Sequence, residues 1–168
     1  MVETDRLLII PLNQEQLELY LEAHGKLEKK LQLTESGRTF SPDVKKMVQK
    51  DILVKMNAAS GDNFLYFTFW IVVQKATKLI VAELGFKGEP SAQGEIEIGY
   101  GTMPFERGKG FMTEAVGGMV AWARNRTGVQ AILAETEETN LASIRIVQKN
   151  NFILMEKKGE MLWWKILL

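Results

Sequence analysis

The chain is 168 residues long and carries 21 Lys+Arg against 21 Asp+Glu, a formal net charge of zero. That balance excludes the basic field by which a protein gathers nucleic acid or an anionic membrane. There is no cysteine, so disulfides, thiolate metal sites and a cysteine nucleophile are ruled out, which suits a reducing cytoplasm.

In chain order, residues 1–168 read as one domain around one core. The start, MVETDRLLIIPL, holds Glu3 and Asp5 and too short an apolar run for a secretory signal. No later apolar run approaches the roughly 18 residues that span a bilayer. Arg6–Leu12 is a first strand, closed by Pro11. Asn13, with Gln16 three residues on, caps a helix from about Gln14 to Gly25, whose inner face is Leu17, Tyr20, Leu21 and His24. Ser41 and Pro42 open a second helix with Val44, Met47, Val48, Ile52 and Met56 on one stripe, ending near Asn57.

Three strands follow, Phe64–Gln74, Lys78–Gly88 and Gly94–Met103, joined by loops short enough for an antiparallel meander. Helix returns from Gly108 to about Asn125. Val129–Glu137 is a strand, Asn140–Asn150 a helix, and the segment from Phe152 to Leu168 a closing hairpin around Lys158–Gly159. Trp163 and Trp164, adjacent on that last strand, must face opposite sides of the sheet.

One turn carries chemistry. Arg107-Gly108-Lys109-Gly110-Phe111-Met112 joins a strand to a helix, and its glycines permit a bend that leaves the first helical N–H groups without intrahelical partners. With the positive end of the helix dipole, those groups form a site for phosphate or another anion. No Gly-Lys-Ser/Thr closes the turn, which disfavours a nucleoside-triphosphate loop. Taken alone, the six residues also fit an ordinary tight turn.

The turn resembles the pyrophosphate-binding motif of the GCN5-related N-acetyltransferases, the GNAT family, and it does not stand alone. ETDRLLIIPL, EIEIGY, RGKGFMTEA and TNLASIRIVQKNNF follow in the order seen in the branch of RimJ/RimL-like enzymes. The resemblance implies an α/β (α+β) single-domain fold, with a mixed, mostly antiparallel sheet of about seven strands flanked by about four helices. It implies acetyl-CoA as co-substrate, bound through Arg107, Gly108, Lys109, Gly110, Phe111 and Met112, with Asn140 on the pantetheine arm and Ser143 beside it. No metal is implied. The implied acceptor is a primary amine, of a small molecule or a protein N-terminus, with no nucleic acid or membrane partner, and the oligomeric state, monomer or homodimer, stays open.

Period-two alternation places Glu95, Glu97 and Gly99 on one face of their strand, and the resemblance makes Glu97 the candidate general base, with Glu95 behind it. The plain alternative is a solvated glutamate. A backbone N–H near Gly99–Gly101 would meet the oxyanion. His24, one Trp of the pair, and Phe40 in the loop TESGRTF are candidate neighbours of the acceptor, or simply packing and surface. The sequence departs from the family pattern in three places. Met112 stands where Gly or Ala is usual, Val147 where many members carry a proton-donating tyrosine, and Asn151-Phe152 where Gly-Phe is usual. The other reading of the chain is a non-catalytic acyl-CoA-binding module that has lost the acid.

Overall fold

The computed structural model describes residues 1–22, 25–37 and 42–168. Its eight strands form one sheet. The strands are β1 (Val2–Glu3), β2 (Leu7–Pro11), β3 (Phe69–Gln74), β4 (Ile80–Phe86), β5 (Glu95–Thr102), β6 (Ala131–Glu137), β7 (Ile153–Lys158) and β8 (Met161–Leu167). They lie in the order β1-β2-β3-β4-β5-β6-β8-β7. Only the central β5–β6 pair is parallel. Such a pair needs a crossover, and helix α5 (Phe111–Arg124) supplies it.

Alternation along the strands sends side chains into two cores. Trp70 and Val72 of β3 join Ile96 and Ile98 of β5 under α5, with Met112, Ala115, Val116 and Met119 facing them; α6 (Leu141–Lys149) adds Val147. Ile71 and Val73 point the other way, into a second core covered by α1 (Gln14–Tyr20), α2 (Lys26–Lys30) and a helical run. That run comprises α3 (Pro42–Met47), a π-helical turn (Val48–Ile52) and α4 (Leu53–Ala58). Layers on both faces therefore fix the sheet, and the fold is the mixed, mostly antiparallel α/β architecture that the sequence implies.

Three boundaries differ from expectation. The first helix stops at Tyr20 instead of running to Gly25, and Gly25, at a left-handed φ of +63°, is the N-cap of a separate helix, α2. Phe64–Tyr66 lie in a 3₁₀ turn (Gly61–Tyr66), not in the strand. Trp70 Nε1 donates to the Leu65 carbonyl at 3.0 Å and draws this segment back over the core, so β3 begins at Phe69. An eighth strand, β1, pairs with β2 at the sheet edge, too short to show in a hydrophobic pattern. The remaining expected strands and helices form within a few residues, including the capping box of Asn13 and Gln16. Ser41, His24 and Phe40 lie outside the described residues.

Candidate active site

The turn predicted to bind an anion forms as a left-handed pair, with φ of +77° at Gly108 and +80° at Gly110. Gly110 is the N-cap of α5 and has no side chain to occupy the first-turn N–H groups, so these remain available to a ligand. Arg107 through Gly110 are exposed, while Phe111 and Met112 are buried. Met112 thus packs into the core and leaves the turn uncrowded. Lys109 bends back to Glu106, Nζ to Oε2 2.9 Å, so its ammonium is already paired.

A brace from the chain's beginning holds this turn. Arg6 Nη1 donates to the Lys109 carbonyl at 3.1 Å, Arg6 Nε to Glu114 Oε2 at 2.6 Å, and the guanidinium sits 4.9 Å from the Phe111 ring centre. Glu114 also accepts from the Thr4 hydroxyl and the Arg6 amide. Burial works to raise the Glu114 carboxyl, but these donors and the Arg6 charge prevail and hold it below its ordinary pKa.

Behind the turn the sheet opens. The pairing of β5 with β6 ends at Ile98 and Ala134, whereas β5 stays paired with β4 as far as Thr102. Bonds from Lys87 N to Glu97 O and from Met103 N to Val81 O show that the odd-numbered residues of this stretch direct their backbone groups at β4. By alternation, those of Tyr100 face the gap that β6 has left. On the helix side of the gap, Asn140 caps α6 by accepting from the Ser143 amide at 3.0 Å, and the Ser143 hydroxyl lies 2.9 Å from the Tyr100 hydroxyl. Burial raises the Tyr100 phenol above its ordinary pKa, the bond to Ser143 acting the other way. Val147 is fully buried in the core and cannot reach a ligand.

On the opposite face of the sheet lies a cleft of about 490 Å³ bounded by β4, β5, Phe67 and the π-helical turn. Its floor is Gly99 and Gly101, and Glu83, paired with Gly101 across the sheet, projects from β4 on that face. Glu83 Oε2 is buried without a hydrogen-bond partner, and burial pushes its pKa up to about 7. A carboxyl in this condition sits between its two protonation states at neutral pH.

Glu97 is placed differently. It does not line the cleft but ion-pairs with Lys87, which also stands 3.6 Å from Glu135. Burial works to lower the Lys87 pKa, but the two carboxylates prevail and raise it. Glu95 is likewise tied to Lys165, at 2.5 Å. Trp164 is buried, its indole donating to Thr136, while Trp163 lies on the other face with Lys158 5.7 Å from its ring. Asn151 takes a φ of +63°, the left-handed position that glycine would otherwise fill.

Two of these residues carry no motif signal. Glu83 sits in an apolar strand, AELGF, where a single acidic residue at an alternate position reads as solvent-facing. Tyr100 closes EIEIGY and reads as core. In both cases the clue was alternation, which put Glu83 on one face with Gly85 and Tyr100 on the face of Ile96 and Ile98. Among the described residues no group of His, Asp or Glu side chains is placed to hold a metal ion, and no helix is long and apolar enough to cross a membrane.

Residues 6–153 match the family model described as an acetyltransferase (GNAT) domain. Among curated proteins, the uncharacterized N-acetyltransferase YjdG of Bacillus subtilis (strain 168) is 39% identical over 115 residues, 68% of this chain and 66% of YjdG, just under two thirds of that relative. Among solved structures, RimL, a ribosomal L7/L12 alpha-N-protein acetyltransferase in complex with coenzyme A, has a TM-score of 0.66 at 16% identity, over 98% of this chain and 96% of that one. Spermidine N-acetyltransferase from Vibrio cholerae, in complex with coenzyme A and spermine, has a TM-score of 0.65 at 12% identity, over 98% and 96%. At such identities the structural likeness is one of fold. The family model spans most of the sequence, and the chain belongs to the acetyltransferase (GNAT) family.

Proposed function

We propose that the chain is an acetyl-CoA-dependent N-acetyltransferase that passes an acetyl group to a primary amine by direct attack. The observation that carries this reading is the arrangement along the parting of β5 and β6: an anion turn at residues 107–112 at one end, and a cleft with a half-titrated carboxyl on the other face. Family membership supports acetyl-CoA as the co-substrate. The exposed N–H groups of the turn, with Arg107, suit its pyrophosphate, and Asn140 and Ser143 flank the path of its pantetheine arm.

The amine enters the cleft and gives a proton to Glu83, directly or through water, as its nitrogen lone pair forms the C–N bond to the thioester carbon. The backbone N–H of Tyr100, directed into the gap, meets the oxyanion. Collapse breaks the C–S bond, and the thiolate takes a proton from the Ser143–Tyr100 hydroxyl pair, which occupies the role that Val147 cannot fill.

Glu97 is the second candidate base, because it shares the face of Gly99 and Gly101. Its ion pair with Lys87 argues for a positioning role instead. Thiol release from acetyl-CoA in the presence of an amine panel tests both readings. Glu83→Gln should lower kcat by roughly 10²-fold or more and Glu97→Gln only a few-fold. The reverse order would return the base to Glu97. No thiol release with any amine, but a firm coenzyme A complex, would favour the acyl-CoA-binding module.

A further inference from the structure

The cleft beside Gly99 and Gly101 holds one deeply placed charge and several apolar walls, and this limits what enters it. We infer that the acceptor is a primary monoamine whose amine-bearing carbon carries an apolar body, aliphatic or aromatic, and not a polyamine. The inference rests on the cleft being the acceptor site of an acetyltransferase.

Glu83 Oε2 is buried and no described residue donates to it. A buried acceptor without a donor is costly, more so when charged, and an ammonium supplies both the missing donor and the opposite charge. Met47 and Ile52 from the helical run, with Phe67 and Phe69 from the β3 side, give the cleft an apolar lining around that carboxyl. Such walls favour a hydrocarbon or ring next to the amine.

Among the described residues, the cleft offers a second ammonium no buried carboxylate. Among the described residues, the other charges along the cleft are Lys87, Lys55 and Asp51. Lys87, four residues along the strand from Glu83 and so about 13 Å away, is already shared by Glu97 and Glu135 and presents positive charge. Lys55 and Asp51 are both exposed on the helical run, where water screens them. A polyamine would bury one ammonium against Glu83 and lay its next against apolar wall, a lysine or the exposed Asp51, where an ion pair in water is worth little. Burying a charge without a partner is strongly unfavourable. The spermine seen in the Vibrio cholerae relative therefore does not transfer to this cleft.

One ammonium beside an apolar body is offered both by a small arylalkylamine and by a peptide whose N-terminal residue is apolar. The experiment measures calorimetric binding of 2-phenylethylamine, of a tripeptide amide beginning with phenylalanine, and of spermidine to the full chain, with and without coenzyme A. Acetyl transfer to each is followed in parallel. We expect at least one monoamine probe to bind ten-fold or more tighter than spermidine, and to weaken ten-fold or more in Glu83→Gln. Which probe leads separates small amine from peptide. If that pattern holds but no acetyl transfer occurs, the cleft's preference for an apolar monoamine stands as a binding property, while the transferase reading, and with it the role of acceptor, falls. Spermidine binding as tightly as the monoamines, unchanged affinity in Glu83→Gln, or no binding of any probe would each overturn the inference. Acetylation of spermidine would still leave the transferase reading intact. Phe67→Leu, which keeps an apolar wall while removing the ring, should weaken the aromatic probe more than 3-methylbutylamine.

Discussion

Arg6 and Glu114 tie the start of the chain to the first turn of α5: Arg6 Nε meets Glu114 Oε2 at 2.6 Å while the same guanidinium, through Nη1, reaches the Lys109 carbonyl at 3.1 Å. Residues 108 apart in sequence thereby set the shape of an exposed loop that has little packing of its own. The fork of the guanidinium makes this possible, since one planar group serves a carboxylate and a carbonyl at once.

Arg6→Ala should therefore weaken acetyl-CoA binding by roughly ten-fold, in line with the loss of charge-assisted hydrogen bonds. The rate with S-acetylpantetheine, which has no pyrophosphate to place, should stay within about two-fold. Arg6→Lys should not restore binding, because an ammonium cannot make the fork. Restoration by lysine would show that charge alone matters, and an equal loss on both thioesters would make the brace a general stabiliser. Steady-state kinetics on the two thioesters reads all three outcomes.

Glu83 connects the site to stability. Its folded pKa of about 7 lies above the ordinary value of 4.5, so the native state holds its proton more tightly than the unfolded chain. For a carboxyl raised in this way stability is greatest below pH 4.5 and declines as pH climbs towards 7, after which the cost is complete. A shift of this size corresponds to about 3 kcal/mol. Glu83→Gln, which cannot ionise, should raise the thermal midpoint at pH 8 by several degrees. It should change it little at pH 4.5. The wild-type rate should fall as pH drops below about 7, where the base becomes protonated. A variant no more stable at pH 8 than the parent would place the Glu83 carboxyl in solvent.

The glycine turn, the strand before it and the Asn140 helix were legible in the sequence because each depends on local rules: left-handed glycines, period-two alternation, a capping asparagine. The cleft was not. Glu83 becomes a buried acid only when the helical run around Ile52 lies across β4, and no pattern within AELGF announces that neighbour. Glu97 shows the converse. Its position on the strand face was readable, but its partner Lys87 lies just past the end of β4, and an ion pair between neighbouring strand segments is invisible until the register is known. The break of the first helix at Gly25 and the fold-back of Phe64–Tyr66 were missed for the same reason, tertiary contacts overriding an apolar periodicity.

Val147 and Tyr100 give a paired test of the leaving-group acid. Val147 is fully buried between α6 and the core, so Val147→Tyr would force a ring into filled space and cost about 1–3 kcal/mol without gaining activity. Tyr100→Phe keeps the ring and removes only the hydroxyl that meets Ser143 at 2.9 Å. It should lower kcat about ten-fold or more, with little change in the KM for acetyl-CoA, and a Tyr100→Phe, Ser143→Ala double variant should fall little further if the two act as one donor. Rates that multiply independently in the double variant would separate the two hydroxyls.

Gly110 tests whether the turn binds the pyrophosphate or is only a bend. A Cβ there would find room, its nearest neighbour being Arg6 Nη2 at 3.5 Å, so the demand for glycine comes from the φ of +80°. An alanine forced into that conformation costs roughly 1–2 kcal/mol, and the chain can relieve the strain by rotating the turn, which would redirect the first N–H groups of α5. In the wild type, coenzyme A at about one hundred times its dissociation constant should stabilise by about 2.7 kcal/mol. That is a rise of several degrees for a chain of this length. Pantetheine, lacking the pyrophosphate, should give a much smaller rise at the same concentration. Gly110→Ala should lower the unliganded midpoint by a few degrees and lose most of the coenzyme A shift, and Gly110→Val should lose more. Equal shifts from pantetheine and coenzyme A, or a full coenzyme A shift in Gly110→Val, would mean that residues 107–112 shape the chain without holding the ligand's phosphates.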